Sequence, residues 1–593
     1  MPSSEAADRG GEQRRNTDFN GTAEPSVREC NIGQLLDRAS SKHPGKLALV
    51  SRWQGQRLSY EQLQTSCHAV ARDLISSGVR PGDRVMVLAG NSVQFVQLFL
   101  AVGAIGAIFS VLNPASTTEE VMSAIELLEP KCIFIADRVG YRQNAALLGT
   151  LQQQSTSLWK LVVLSEGASL RESIAMHGGT CPRNIDRELS DDATGWATAD
   201  PNKALCIQFT SGTTGPKKAA ILSHRNLITN ALGVGDRLQY TSTDIVCCCV
   251  PLFHCFALVC GIISSISFCS TLVLPSDVFI AEDSLEAISA ERCTVIHAVP
   301  TMFRAMVDHP EAEKHLIVGT LRTGIVAGSK LSRSFVSEVI PNMRIKSLAY
   351  GYGMIPRPNI RIESCPDAYL GMTELSCIVF LTDPSRTCLL HNHHSVGTAL
   401  PQSAVRVVND DMVTLPSGSS GELLVSGSFV FLGYYKNSKA TEKTRITDSE
   451  GITWVKTGDT VCLDTQGHCT ITGRVKDMIK RGGENIFPGD IEDVLQQHPR
   501  IDIAAVVGIS DEKWGERVVA FIQCYQMRGS KGLPNPKELK VWLRGRLAPH
   551  KFPAQFYFLG EGEGVPASLP RNFSGKLLKS ELQRIAERLT AES

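Results

Sequence analysis

Gln208–Asn226, QFTSGTTGPKKAAILSHRN, places Thr210, Ser211, Gly212, Thr213, Thr214 and Gly215 directly before Lys217 and Lys218. The glycines allow a tight turn that brings backbone N–H groups toward an anion. The four hydroxyls add donors, and a lysine adds positive charge. Such a loop is built to hold a polyphosphate. It is not a Walker A loop, which needs two glycines five residues apart followed by Lys-Ser/Thr. Ser/Thr/Gly runs are usually surface linkers, but here the apolar Ala204–Phe209 leads in and Ala219–Leu222 leads out. Both flanks therefore read as packed structure around a working loop.

The chain around this loop is too long for one core. Its 593 residues imply two or more domains. Hydrophobic residues make up 43% and charged residues 20%, a globular balance, and 60 basic residues match 60 acidic ones. Nothing in that balance points to a nucleic-acid or anionic-membrane partner. Cys247, Cys248 and Cys249 are consecutive among 18 cysteines, and no CxxC pair has zinc-like spacing. Consecutive cysteines alternate faces of a strand, so reduced, buried thiols of an intracellular protein are expected. Phe256–Leu274 has no charged residue, yet five Ser/Thr interrupt it and Pro251 and Pro275 bracket it. A buried helix running into a strand fits better than a membrane span.

Residues 1–30 read as a polar, disordered tail without an apolar signal segment. The Thr-Ala-Glu-Ser terminus is not of the peroxisomal Ser-Lys-Leu type. A cytoplasmic location is expected.

Short apolar β-branched runs recur between amphipathic stretches: Arg84–Ala89, Cys132–Ala136, Lys160–Leu164, Thr271–Leu274, Thr294–His297 and Thr323–Ala327. This alternation predicts α/β layers with largely parallel strands. From about Ser395, short strands at Val405–Val408, Gly421–Val425 and Thr470–Thr472 suggest a small β-rich subdomain. After Arg474 a third texture begins, with strands at Ala504–Val507 and Val518–Cys524 and a helix over Pro536–Leu547. The expected organisation is therefore a large N-terminal domain, 31–475, of two α/β subdomains and a β-rich one. A small mobile α+β domain, 476–593, follows it.

Three further motifs are weak alone. Thr457-Gly458-Asp459 places a carboxylate, able to accept from a ribose diol, on a tight turn at the end of an apolar strand; Gly-Asp is also an ordinary turn. Gly473–Phe487 packs Arg474, Lys476, Lys480 and Arg481 around Gly482-Gly483, which by itself reads as a solvated face with a hairpin turn. Pro570–Lys576 is a short basic loop.

Together and in this order, the motifs resemble the adenylate-forming (AMP-binding) superfamily, closest to its medium-chain acyl-CoA synthetases. The resemblance runs from about Leu35 to about Arg584, and Pro251–His254, Ala298–Phe303, Val326–Ser329 and Arg481–Pro488 support that branch. It implies a two-step reaction. A carboxylate attacks the α-phosphate of Mg·ATP to give an acyl-adenylate, and the thiol of coenzyme A then displaces AMP. Thr210 to Lys218 would hold the β- and γ-phosphates, Gly328 and Ser329 would line the adenine site, and Tyr352 would stack by the purine. Thr373 would contact the α-phosphate and Glu374 would bind Mg²⁺. Asp459 would hold the ribose with Arg474 nearby. Lys576 would reach the carboxylate and α-phosphate in the first step, and His254 would shape the acyl pocket and the thiol path. Lys476 marks the hinge about which Gly482-Gly483 would replace Lys576. An apolar acid, fatty or polyketide-like and possibly of a secondary-metabolite pathway, is the expected substrate. A ligase that loads carrier-protein phosphopantetheine, or an inactive ATP-binding homologue, stays open.

Two positions depart from the family pattern. Its Pro-Lys-Gly is Lys217-Lys218-Ala219 here, which leaves the phosphate-side role to Lys218. Residues 354–371, MIPRPNIRIESCPDAYLG, separate Gly351-Tyr352-Gly353 from Met372-Thr373-Glu374, which the family joins directly. Gly353-Met354 can be encoded G-GTATG, Pro366-Asp367 can contain CTGAC, and Leu370-Gly371 can be CTAGG, the marks of a retained intron. Removing 354–371 in frame restores Gly-Tyr-Gly-Met-Thr-Glu.

Overall fold

Successive residues of the parallel strands face different cores. Val85 and Val87 enter the largest apolar core, while Met86 and Leu88 enter another on the opposite face. Cys248 joins the largest core, whereas Cys247 and Cys249 point to a third. Period-two alternation in strands that are apolar throughout requires cover on both faces, and helices supply it.

The computed structural model describes residues 29–153, 159–176, 196, 199–210, 218–327, 335–351, 372–383, 395–524, 533–571 and 577–591. Two seven-stranded sheets form the bulk of the larger part. One runs, in spatial order, Gly433–Tyr434, Lys218–Ser223, Ala204–Thr210, Ile108–Val111, Arg84–Leu88, Cys132–Ala136 and Lys160–Leu164. The other runs Ser347–Gly351, Thr323–Ala327, Val295–Ala298, Ile245–Cys248, Thr271–Leu274, Leu47–Ser51 and Gln56–Ser59, parallel except for the last strand. Helices Ile32–Lys42, Tyr60–Ser76, Val93–Ala104 and His224–Arg237 share the largest core with residues of both sheets. Helices Thr118–Leu128 and Ala145–Gln153 cover the outer face of the first sheet, and Ala281–Ala290 and Pro300–Val307 that of the second. The layering expected from the sequence is present.

The apolar segment before Leu274 is a buried π-helix, Ala257–Ile263, continued by Ser264–Ser267 and the strand Thr271–Leu274. No described helix is long and apolar enough to cross a membrane. The 15 described cysteines are all free thiols, most of them buried.

A third, antiparallel sheet holds Ser403–Val408, Ser420–Gly427, Thr453–Leu463 and His468–Arg474. It leads through the short turn Val475–Asp477 into a fourth sheet built on the long pair Ile501–Asp511 and Gly515–Cys524. Two expectations need correcting. The helix at Pro536 ends at Leu543 rather than Leu547, because Arg544 takes extended backbone and Gly545 a left-handed φ of +74°. Thr457-Gly458-Asp459 is not at a strand end. It lies inside the strand Thr453–Leu463, at a bulge where Gly458 takes φ +71°.

Candidate active site

Thr210 ends one strand, Lys218 begins the next, and the two pair across an antiparallel register. The two apolar flanks expected to be packed structure are thus both strands. Ser211, Gly212, Thr213, Thr214 and Gly215 lie outside the described residues, as do Gly328, Ser329, Tyr352, Lys576 and the segment 354–371. Gly328 directly follows the strand Thr323–Ala327, and Tyr352 follows the parallel strand Ser347–Gly351. Carboxyl ends of parallel strands are where open α/β sheets bind ligands.

Three pieces of chain meet beside the phosphate-loop base. Thr373 and Glu374 sit in a single 3₁₀ turn, Thr373–Leu375, which Ser376 closes in the left-handed region at φ +59°. The segment 428–435 wraps this turn. Phe431 N–H donates to the Glu374 carbonyl at 2.9 Å, and Ser376 Oγ donates to the Phe429 carbonyl at 2.7 Å. The same segment is tied to the loop's outgoing strand: Leu432 N–H donates to Ile221 O and Tyr435 N–H to Ala219 O, each at 2.8 Å. Its strand Gly433–Tyr434 pairs with Lys218–Ser223, setting Tyr434 opposite Ala220.

The junction's side chains converge as well. Tyr434 Oη donates to Glu374 Oε1 at 2.6 Å, and each residue is 7% exposed. The Lys218 ammonium lies 4.9 Å from the Tyr434 ring centroid. Burial, reinforced by the Glu374 charge, pushes the Tyr434 hydroxyl well above its ordinary 10.0, so it stays a donor. Tyr434 was not among the residues read from the sequence. Gly433-Tyr434-Tyr435 is visible there, but its pairing with the lysine strand is set by a contact more than two hundred residues apart.

Glu374 suits a hard cation that also takes phosphate oxygens. Magnesium is commonly held by one or two carboxylates plus substrate phosphates. Among the described residues no group of three or more His, Cys, Asp or Glu forms a self-sufficient metal cage. The Tyr434 bond occupies Oε1 and leaves Oε2 for such a cation.

Asp459 and Arg474 face each other across strands, with Arg474 Nε 2.7 Å from Asp459 Oδ1. Asp459 is only 1% exposed. The bulge that aims it is braced: Thr457 Oγ donates to the Leu423 carbonyl at 2.9 Å, and Gly458 N–H donates to Glu422 Oε1 at 3.2 Å. Lys476 is exposed in the turn Val475–Asp477. Gly482 and Gly483, at φ +58° and +86°, form the two-residue turn of the hairpin Ile479–Arg481/Glu484–Ile486. The hairpin turn expected from the glycine pair alone is therefore present. Trp514 packs on it so closely that a Cβ on Gly482 would meet the indole at 2.9 Å. No motif in the sequence marks Trp514.

His254 lies between the strand Ile245–Cys248 and the π-helix. Its Nδ1 accepts from Phe256 N–H at 3.3 Å, which puts the neutral ring's proton on Nε2. Nearby, Tyr240 Oη and His297 Nε2 are 2.6 Å apart in the core, with Phe256 5.9 Å from the imidazole. Burial holds His297 down to about 3, so it is neutral.

The chain is similar to known proteins over most of its length. The family described as AMP-binding enzyme matches residues 36–354 and 365–435, and the AMP-binding enzyme C-terminal domain matches 490–576. The acyl-CoA ligase sidI of Aspergillus fumigatus is 35% identical over 570 residues, covering 94% of this chain and 91% of that protein. The mitochondrial medium-chain acyl-CoA ligase ACSF2 of Bos taurus is 31% identical, covering 94% of this chain and 87% of its own. ATP-bound MatB from Rhodopseudomonas palustris superposes with a TM-score of 0.74 at 25% identity, over 93% of this chain and 98% of that one. The matched span takes in the phosphate loop, Glu374 and Tyr434, and the second match begins just beyond the Gly482-Gly483 hairpin. By the length of that match and by identity to its relatives, this chain belongs to the family of AMP-binding enzymes.

Proposed function

We propose that the chain is an AMP-forming acyl-CoA ligase that activates an apolar carboxylic acid with ATP and passes the acyl group to coenzyme A. The observation that carries this is the junction of the phosphate-loop base with the Thr373–Glu374 turn, joined through Tyr434. It puts a cation and a carboxylate on one rigid support, as a site for a metal-bound polyphosphate needs. The sidI and ACSF2 relatives, both acyl-CoA ligases by name, support the same activity.

In this reading the loop from Thr210 to Lys218, with Ser211, Gly212, Thr213, Thr214 and Gly215, cradles the β- and γ-phosphates. Gly328, Ser329 and Tyr352 hold the adenine, and Asp459, oriented by Arg474, accepts from the ribose hydroxyls. Thr373 donates to the α-phosphate. Glu374 holds Mg²⁺, which neutralises phosphate charge when bound. Lys576 offsets the charge on the attacking carboxylate and the α-phosphate, and His254 borders the acyl and thiol path. The part from 476 onward then turns about Lys476, withdrawing Lys576 and bringing Gly482-Gly483 to the thiol. The short turn Val475–Asp477 between two sheets supports a boundary at 475/476.

The segment 354–371 is read as a retained intron. The family match leaves 355–364 unmatched and resumes at 365, which supports an insertion relative to the family within that segment but not its full extent. A mature message that always encodes Met354 to Gly371 would sink the idea.

The deciding experiment supplies ATP, Mg²⁺, coenzyme A and a panel of carboxylic acids, with products read by mass spectrometry. Acyl-CoA formation is expected. Adenylate without acyl-CoA would point to a carrier-protein acceptor. No ATP–pyrophosphate exchange with or without 354–371 would leave an inactive homologue.

A further inference from the structure

We propose that Tyr434 is a positioning residue that couples the phosphate-loop lysine to the metal-side carboxylate: its hydroxyl fixes Glu374 Oε1 and its ring face seats Lys218. The assignment rests on the ligase reading above. In this chain Lys218 is the second of two adjacent lysines and is followed by alanine.

The tyrosine contacts both groups at this junction. Lys218 is the exposed first residue of its strand, on a flexible four-carbon stem. The ring 4.9 Å away gives its ammonium a fixed electrostatic seat. Glu374 sits in a three-residue turn, and the Tyr434 hydroxyl bonds its carboxylate. The hydroxyl bond at 2.6 Å is a charge-assisted one, and it commits one carboxylate oxygen while leaving the other available. Tyr434 in turn is held by strand pairing with Ala220, by Thr441 Oγ1 accepting its N–H at 2.8 Å, and by edge-on packing of Phe431 at 4.9 Å. A rigid ring thus spans two elements that bind opposite charges, and the distance between those charges is what a metal-bound triphosphate would sense.

Tyr434→Phe keeps the ring, its packing and the lysine seat, and removes only the hydroxyl. ATP affinity is measured by calorimetry in Mg²⁺ and again in EDTA, for wild type, Tyr434→Phe and Glu374→Gln. In wild type, Mg²⁺ is expected to tighten ATP. Tyr434→Phe should cut that Mg²⁺-dependent gain about tenfold, on the scale of one charge-assisted hydrogen bond, while affinity in EDTA changes less than about twofold. Glu374→Gln sets the limit without a carboxylate, and adding Tyr434→Phe to it should change nothing further. Equal weakening with and without Mg²⁺, or additive losses in the double variant, would overturn the coupling role. If Tyr434→Phe leaves a wild-type Mg²⁺ effect intact, this assignment falls alone. If wild type itself gains nothing from Mg²⁺, the ligase reading falls and takes the assignment with it.

Discussion

Asp459 shows what a single residue does here. It is a carboxylate at 1% exposure whose cross-strand partner Arg474 is 21% exposed. Neutralising the carboxylate removes the buried half of this 2.7 Å ion pair. Asp459→Asn should therefore cost about 2 kcal/mol of stability and raise the KM for ATP more than tenfold, read by thermal unfolding and pyrophosphate exchange. Buried histidines carry a separate, pH-linked signature. His224 accepts the Ile32 N–H at 3.1 Å, and burial holds its pKa near about 4, against an ordinary 6.5. His297 is held lower still, at about 3, also by burial. Folded pKa values below the unfolded one mean that the unfolded chain takes up protons first. Stability from both histidines is thus present above pH 6.5 and is lost as pH falls toward 4. Each contributes a slope of about 1.4 kcal/mol per pH unit in that window. His224→Gln should flatten the pH dependence of unfolding by one such slope, and an unchanged slope would contradict the assignment.

At the scale of elements, the Gly482-Gly483 hairpin is the clearest case. Both residues have left-handed φ, and the Trp514 indole leaves no room at Gly482. Gly482→Ala should cost about 1–2 kcal/mol in backbone strain alone, before any clash with the indole. The proposed role adds a sharper expectation: thiol transfer slows by at least tenfold while ATP–pyrophosphate exchange stays near wild type. Parallel loss of both half-reactions would make the hairpin merely structural. Most elements were legible in the chain because their pattern is local. Cys132–Ala136 and Thr323–Ala327 appear at the predicted bounds, since a short apolar β-branched run covered on both faces has few alternatives. Asp459 was misplaced for the opposite reason. Thr-Gly-Asp has the composition of a turn, and only pairing with Ser420–Gly427 turns it into a bulge within a continuous strand. The helix from Pro536 was drawn too long because Gly545 breaks it through backbone freedom that periodicity does not register.

Across the whole molecule, the proposed cycle needs the part beyond 475 to occupy two positions in turn. Lys576→Ala should abolish adenylate formation yet largely spare thiol transfer from a supplied acyl-adenylate. Equal loss in the two half-reactions, measured separately, would remove the rotation from the mechanism. Such movement suits a connection made of one exposed turn, Val475–Asp477, between sheets with separate apolar cores.

The sequence by itself determined the layered α/β architecture and the family, because these lie in contiguous motifs and short-period patterns. Tertiary structure alone decided that Lys218, Glu374 and Tyr434 share one support, that Asp459 is paired with Arg474 inside a bulge, and that Trp514 closes on the glycine hairpin. Those contacts join residues far apart in the chain through strand register and side-chain packing, and neither is written in any single stretch of residues.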